Sequence, residues 1–250
     1  MSHFTVLVVG ENPEEQLQPF HEYECTGIED QYVEFIPASE EDIEEYEEEK
    51  ESYDSFEEFM ENYYGYEKNA SGQWGRWTNP NAKWDWWKIG GRWTGAFVLK
   101  PGAKGKTGIP GLLTAKAPSG TADQALKGDI DFEAMELANR QRAANTWDAC
   151  QRKIEETEAS EMSDEQKTNV INCEKYHCDI EDEDTKESYI ERFSGFSTFA
   201  VLMNGKWYEK GSMGWWATVE NENPQWEEEF KKLLDSIPDD ELLTLVDCHI

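Results

Sequence analysis

Long apolar runs and positive charge are both scarce in this 250-residue chain. No stretch approaches the roughly 20 consecutive apolar residues of a membrane span. The opening MSHFTVLVVG has neither the basic flank nor the small-residue cleavage site of a secretory signal. The expectation is a protein that does not cross a membrane and is not exported by that route. Lys and Arg number 23 against 54 Asp and Glu, a formal charge of -31. A field of that sign repels nucleic acid and anionic lipid, so direct binding of either has to overcome a large unfavourable term. Cys25, Cys150, Cys173, Cys178 and Cys248 are odd in number and irregularly spaced, which argues against a disulfide framework and fits reduced thiols in a cytoplasm. No stretch carries a catalytic signature at the right spacing. No catalytic residue, cofactor or metal is therefore assigned.

What the chain has in quantity is acid, aromatic rings and segregated charge. Between Glu11 and Glu67 there are 22 acidic residues against Lys50 alone, a net of -21; from Lys68 to Gly128 ten basic residues face only Asp85 and Asp123, a net of +8. Eleven tryptophans raise the aromatic fraction to 13%, and each buried ring removes far more apolar surface than an alanine, so a hydrophobic fraction of 38% suffices for a core.

Phe4 to Val9 reads as a buried strand ended by Gly10. Ser39 with Asp42 resembles a capping box opening an acidic helix as far as Gly65, with Ile43, Tyr46, Tyr53, Phe56, Met60 and Tyr63 near one stripe. In WGRWTNPNAKWDWWKIGGRWTGAFVLK, the pair Gly90-Gly91 predicts a β-hairpin with arms near Trp86–Ile89 and Arg92–Leu99. Pro101 to Gly120 reads as a long exposed loop. Asp131 to Glu158 reads as a helix, and Ser163 with Gln166 caps another through about Tyr176. A short helix ended by Gly195 follows. Asn204-Gly205 predicts a hairpin, Gly211 to Gly214 turns into a strand Trp215–Val219, Asn223-Pro224 starts a helix, and Leu242 to Ile250 is a final strand. Together these predict a single α+β domain over residues 1–250: a mainly antiparallel sheet holding both terminal strands, helices on one of its faces, an acidic helical arm at about 38–64 and a helical insertion at about 122–194.

Four groups of residues could carry chemistry. Trp84, Trp86, Arg92, Trp93, Lys206, Trp207 and Trp215 could stack a base or sugar and hold a phosphate, although aromatics on strands are normal core residues. GAKGKTG at Gly102–Gly108 resembles a phosphate loop superficially but lacks the first glycine and the following helix. Cys173, His177 and Cys178 have helical ligand spacing without a second knuckle. His3 and, two residues apart on the last strand, Asp247 and His249 converge if the terminal strands pair, with His21, Glu22 and Glu24 at hand, and could bind a divalent metal or act as acid and base. The acidic helix reads as a solvated face or as an imitation of phosphate spacing.

The combination of HFTVLVVG, HEYECTG, WDWWKIGGRW, GKWYEKGSMGWW and LLTLVDCHI resembles a group of uncharacterised proteins encoded by bacteriophages and prophages. That resemblance implies expression in a bacterial host cytoplasm and a host-directed role such as antagonising defence, and it supplies no catalytic residue. The expectation is a binding protein that masks a basic host surface or sequesters a nucleotide-like small molecule, with no direct contact to nucleic acid or membrane. A terminal metal-assisted or acid–base hydrolase site and a virion or assembly component are the alternatives.

Overall fold

In the computed structural model, which describes residues 2–22, 31–214 and 218–250, the strand His3–Val9 pairs antiparallel with the strand Leu242–His249 along its whole length, from His3 opposite His249 to Val9 opposite Leu243. Both are short apolar runs that lose their side chains to the interior on both faces, the pattern of central strands. Around them the sheet runs in the order Lys206–Glu209, Ala200–Met203, His3–Val9, Leu242–His249, Gln124–Leu126, Gly105–Lys106. Trp86–Gly91 also pairs with the C-terminal strand, and Ile109–Pro110 extends it. Only the pairs His3–Val9 with Ala200–Met203 and Trp86–Gly91 with Ile109–Pro110 are parallel within this sheet. The class is α+β, with a mainly antiparallel sheet that includes both terminal strands, and no helix among the described residues is long and apolar enough to cross a membrane.

Strand alternation divides the core in two. Leu7, Val9, Val201, Leu243 and Leu245 meet Met135 of the helix Phe132–Glu158 and Trp226 and Phe230 of the helix Trp226–Ser236. On the other face Phe4, Val6, Val8, Leu202, Val246 and Cys248 pack against Leu17, Phe20, Trp84, Trp87 and Trp207. Helices thus cover one face, and the short helix Pro13–Leu17 with a layer of indoles covers the other. Each fully buried large apolar side chain is worth about 1.5–3 kcal/mol, so these two layers dominate the stability. A third cluster, Ala143, Cys150, Ile180 and Tyr189, joins the long helix to the helix Lys186–Arg192 and to the segment that follows the helix Asp164–His177.

Two expected elements differ. Gly90 and Gly91 do not turn a hairpin: Trp86–Gly91 pairs with the C-terminal strand, and Phe97–Val98 pairs instead with Thr121–Ala122. The acidic helix is two helices, Glu40–Glu49 and Phe56–Asn62, each with its own serine cap. Ser39 forms the capping box with Asp42, and Ser55 Oγ accepts from Glu58 N at 3.1 Å. Serine offers the backbone a non-helical alternative, and like charges four apart, such as Glu40, Glu44 and Glu48, weaken a continuous helix. Asn204-Gly205 does close the hairpin Ala200–Met203/Lys206–Glu209. The expected strand Trp215–Val219 falls partly outside the described residues, which resume at Thr218, with a short strand Val219–Glu220.

Candidate functional site

Pairing of the chain's first and last strands sets His3 opposite His249, and pairing of Trp86–Gly91 sets Trp86 opposite His249 and Lys88 opposite Asp247. Because strand side chains alternate, His3, Asp247, His249, Trp86 and Lys88 emerge on one face. Farther along that face Leu7 and Leu245 are core.

The two imidazoles are held in the same way. His3 Nδ1 lies 2.7 Å from Asp247 Oδ1, and His249 Nδ1 lies 2.6 Å from Asp85 Oδ1. The rings meet edge to face with centroids 5.0 Å apart, and Trp86 sits edge-on to His3 at 6.1 Å. In each ring Nδ1 faces a carboxylate, which leaves Nε2 on the side away from that bond. His249 Nε2 is buried and has no partner among the described residues. Trp86 is 43% exposed, and Lys88 Nζ stands 5.1 Å from its ring centroid. The arrangement therefore offers a flat aromatic surface and a cation beside two imidazoles fixed on strands.

Asp247 is 1% exposed and does a second job: its Oδ2 accepts from Arg92 N at 2.8 Å. Asp123, fully buried, accepts from Gly95 N at 2.6 Å, Gly108 N at 2.7 Å and Thr94 Oγ1 at 2.9 Å. Backbone N–H groups, with His3 at Asp247 and Thr94 at Asp123, satisfy the two carboxylates. Gly90 (φ +78°) and Gly91 (φ +52°) pass between them, and a Cβ on either would collide with Asp123 or Asp247 respectively. The glycine pair exists for this close approach.

Of the expected tryptophan and cation group, Trp86 opens the strand Trp86–Gly91 opposite His249, while Arg92 and Trp93 lie in the turn after its other end, with Arg92 N bonded to Asp247. The others do not join them. Trp84 is 5% exposed, donates Nε1–H to Leu17 O and stacks on His21 at 4.4 Å. Trp207 packs on Phe20 at 5.0 Å and bonds Glu209. Lys206 covers Tyr208 on the outer strand. Alternation sends Trp207, like Trp87, to the core face opposite Trp86, whereas Trp84 precedes the strand and Lys206 is separated from it by three intervening strands. Trp215, like Glu24 and Cys25, lies outside the described residues.

Gly105–Lys106 is a two-residue strand at the sheet edge, paired with Gln124–Ala125, which is incompatible with a phosphate loop leading into a helix. Cys173 is exposed, and no group of three or more His, Cys, Asp or Glu among the described residues could hold a metal ion. A cleft of about 540 Å³ lies at the opposite end of the sheet between Lys104, Lys106, Leu126 and Leu242.

Asp85 and Asp123 were missing from the residue-level expectations, yet a signal was present: they are the only two acids in the basic stretch from Lys68 to Gly128. Comparison with protein-family models, curated proteins and solved structures finds no match.

Proposed function

We propose that the protein binds a small anionic molecule carrying a flat ring, of the nucleotide class, where Trp86, Lys88, His3 and His249 meet. The observation that supports this most directly is the register that sets a half-exposed, lysine-covered indole across from His249. An aromatic face stacks a base for about 1–3 kcal/mol, while Lys88 beside it supplies charge for a phosphate. The charge of -31 selects against a long polyanion and for a small one that reaches only the local basic surface. The resemblance to phage-encoded proteins gives the reading its setting: sequestering such a molecule in a bacterial host would act as an anti-defence accessory function.

Titration calorimetry with AMP, UMP, adenosine and inorganic phosphate tests the reading. Nucleotide should bind more tightly than adenosine or phosphate alone, and Trp86→Ala and Lys88→Ala should each weaken it about tenfold, which is about 1.4 kcal/mol. Absence of binding at about 5 mM nucleotide, far above the millimolar affinity of a weak site, refutes the reading, as does an unchanged affinity in Trp86→Ala.

The unpartnered Nε2 of His249 favours a second reading, acid–base chemistry on the bound molecule. Turnover of a bound nucleotide that disappears in His249→Gln while binding persists would establish it; binding without turnover leaves the first reading alone.

A further inference from the structure

Leu112 and Leu113 are 100% and 99% exposed, and Ile109 on the same loop is 67% exposed. Single exposed leucines are common on protein surfaces, but three large apolar side chains within five residues form a knob. It stands in the basic part of the molecule. Gly111 N donates to Gly91 O at 2.8 Å, which ties the knob to the turn carrying Arg92, and Lys104, Lys106 and Lys116 flank it in sequence. None of these four cations forms an ion pair with a described residue, although Lys50, Lys68, Lys83, Arg140, Lys175, Lys186, Arg192, Lys210 and Lys232 all do.

The complementary surface is on the same chain. From Glu40 to Glu61 there are 13 carboxylates against Lys50. The helix Glu40–Glu49 buries no residue, and Ile43 and Tyr63 are each 47% exposed beside those carboxylates. Both surfaces thus combine uncovered apolar side chains with excess charge, and the excess is of opposite sign.

We propose that the loop of one copy docks on the acidic helix of a second copy, with Leu112 and Leu113 against Ile43 and the loop cations against the surrounding carboxylates. Two chains of charge -31 repel as wholes, but at physiological salt the field decays within about 8 Å, so the opposed local charges govern the contact. Three apolar side chains and a ring of charges fall short of the roughly 1,000 Å² of a stable interface, so the association is reversible. Since the two patches differ, the contact is heterologous, and it either closes reciprocally or continues from copy to copy. A membrane surface is the weaker match, because the arm and the net charge oppose an anionic bilayer.

Sedimentation of the full chain between about 10 and about 300 µM, in about 50 mM and about 500 mM NaCl, tests this. Concentration-dependent association should occur at low salt and weaken at least tenfold at high salt. Leu112→Ser/Leu113→Ser should abolish it while the circular dichroism stays that of the parent. Glu44→Lys/Glu47→Lys/Glu48→Lys, which cuts the net charge of residues 40–61 from -12 to -6, should weaken it about tenfold or more, and Lys104→Glu/Lys106→Glu/Lys116→Glu, which leaves loop and arm both acidic, should abolish it. Mixing those last two variants should restore association. A monomer throughout at low salt, association indifferent to the double leucine variant, or loop-dependent binding to phosphatidylserine vesicles without self-association would each overturn the proposal.

Discussion

Replacing Gly91 by alanine tests whether the glycine pair serves the buried carboxylates. A Cβ there would sit 2.7 Å from Asp247 Cγ, at a backbone φ of +52°. The left-handed conformation costs a non-glycine residue about 1–2 kcal/mol. Displacing Asp247 breaks the hydrogen bond from Arg92 N, and a hydrogen bond to a charged group is worth about 1.5–3 kcal/mol. The two effects together predict a loss of about 2.5–5 kcal/mol. Gly102 is the control, since its φ of +82° carries similar backbone strain while nothing lies within 4 Å of its missing Cβ. Gly102→Ala should therefore cost only the conformational part, about 1–2 kcal/mol. Urea unfolding followed by tryptophan fluorescence measures both, and a displaced midpoint at unchanged slope reads as stability alone. If Gly91→Ala costs no more than Gly102→Ala, Asp247 is free to move and the close-approach argument fails.

Thiol chemistry gives a second check. Burial, and then a hydrogen bond with Cys178, push the Cys150 thiol up to about 11, so at pH 8 roughly one molecule in a thousand carries its thiolate. In a Cys25→Ser background, exposed Cys173 should react with Ellman's reagent at once, while Cys150 and fully buried Cys248 should wait for unfolding. The same groups predict alkaline sensitivity. Burial raises Cys150 and Cys248 above the ordinary thiol range, so between about pH 9 and pH 11 the unfolded chain releases protons that the native chain keeps, and stability falls as pH rises. Cys150→Ser should flatten that fall in urea titrations across the range, and an unchanged pH profile would refute the assignment. Ser39→Ala removes the cap on Glu40–Glu49 and should cost the arm about 1 kcal/mol, seen as faster amide exchange over residues 40–49 with the central strands unaffected; equal exchange would show that the cap is not what holds that helix.

The parts of the fold that could be anticipated are those whose signals are local. The Asn204-Gly205 turn, the Ser39 and Ser163 capping boxes and the span of the long helix all follow from a few adjacent residues, and each is present. The terminal strands were legible from their apolar runs, and their pairing brought His3, Asp247 and His249 onto one face. Gly90-Gly91 misled because a glycine pair has two uses. It permits a tight turn, and it also lets other atoms approach the backbone; only the position of Asp123 and Asp247, 33 and 156 residues downstream of Gly90 and Gly91 respectively, decides between them. The tryptophans were legible in number but not in placement. Trp86 and Trp87 are neighbours in sequence and lie on opposite faces, and which of them is buried depends on what covers each face.

This division of labour among the carboxylates determines which substitutions can report on the site. Asp247 orients His3, receives Arg92 N and fills the space that Gly91 leaves, all at 1% exposure. Any change at Asp247 therefore alters the fold and the site together, and a lost function in Asp247→Ala would say nothing about His3. Asp85 differs: its side chain is 42% exposed, and its Oδ1 bonds His249 Nδ1. Asp85→Asn keeps the shape and removes the charge that holds the His249 ring. An exposed pair of this kind contributes at most about 1 kcal/mol to stability, so the variant should unfold with its parent. If ligand binding or turnover nevertheless changes, the effect belongs to the imidazole, because the sheet that positions it is intact.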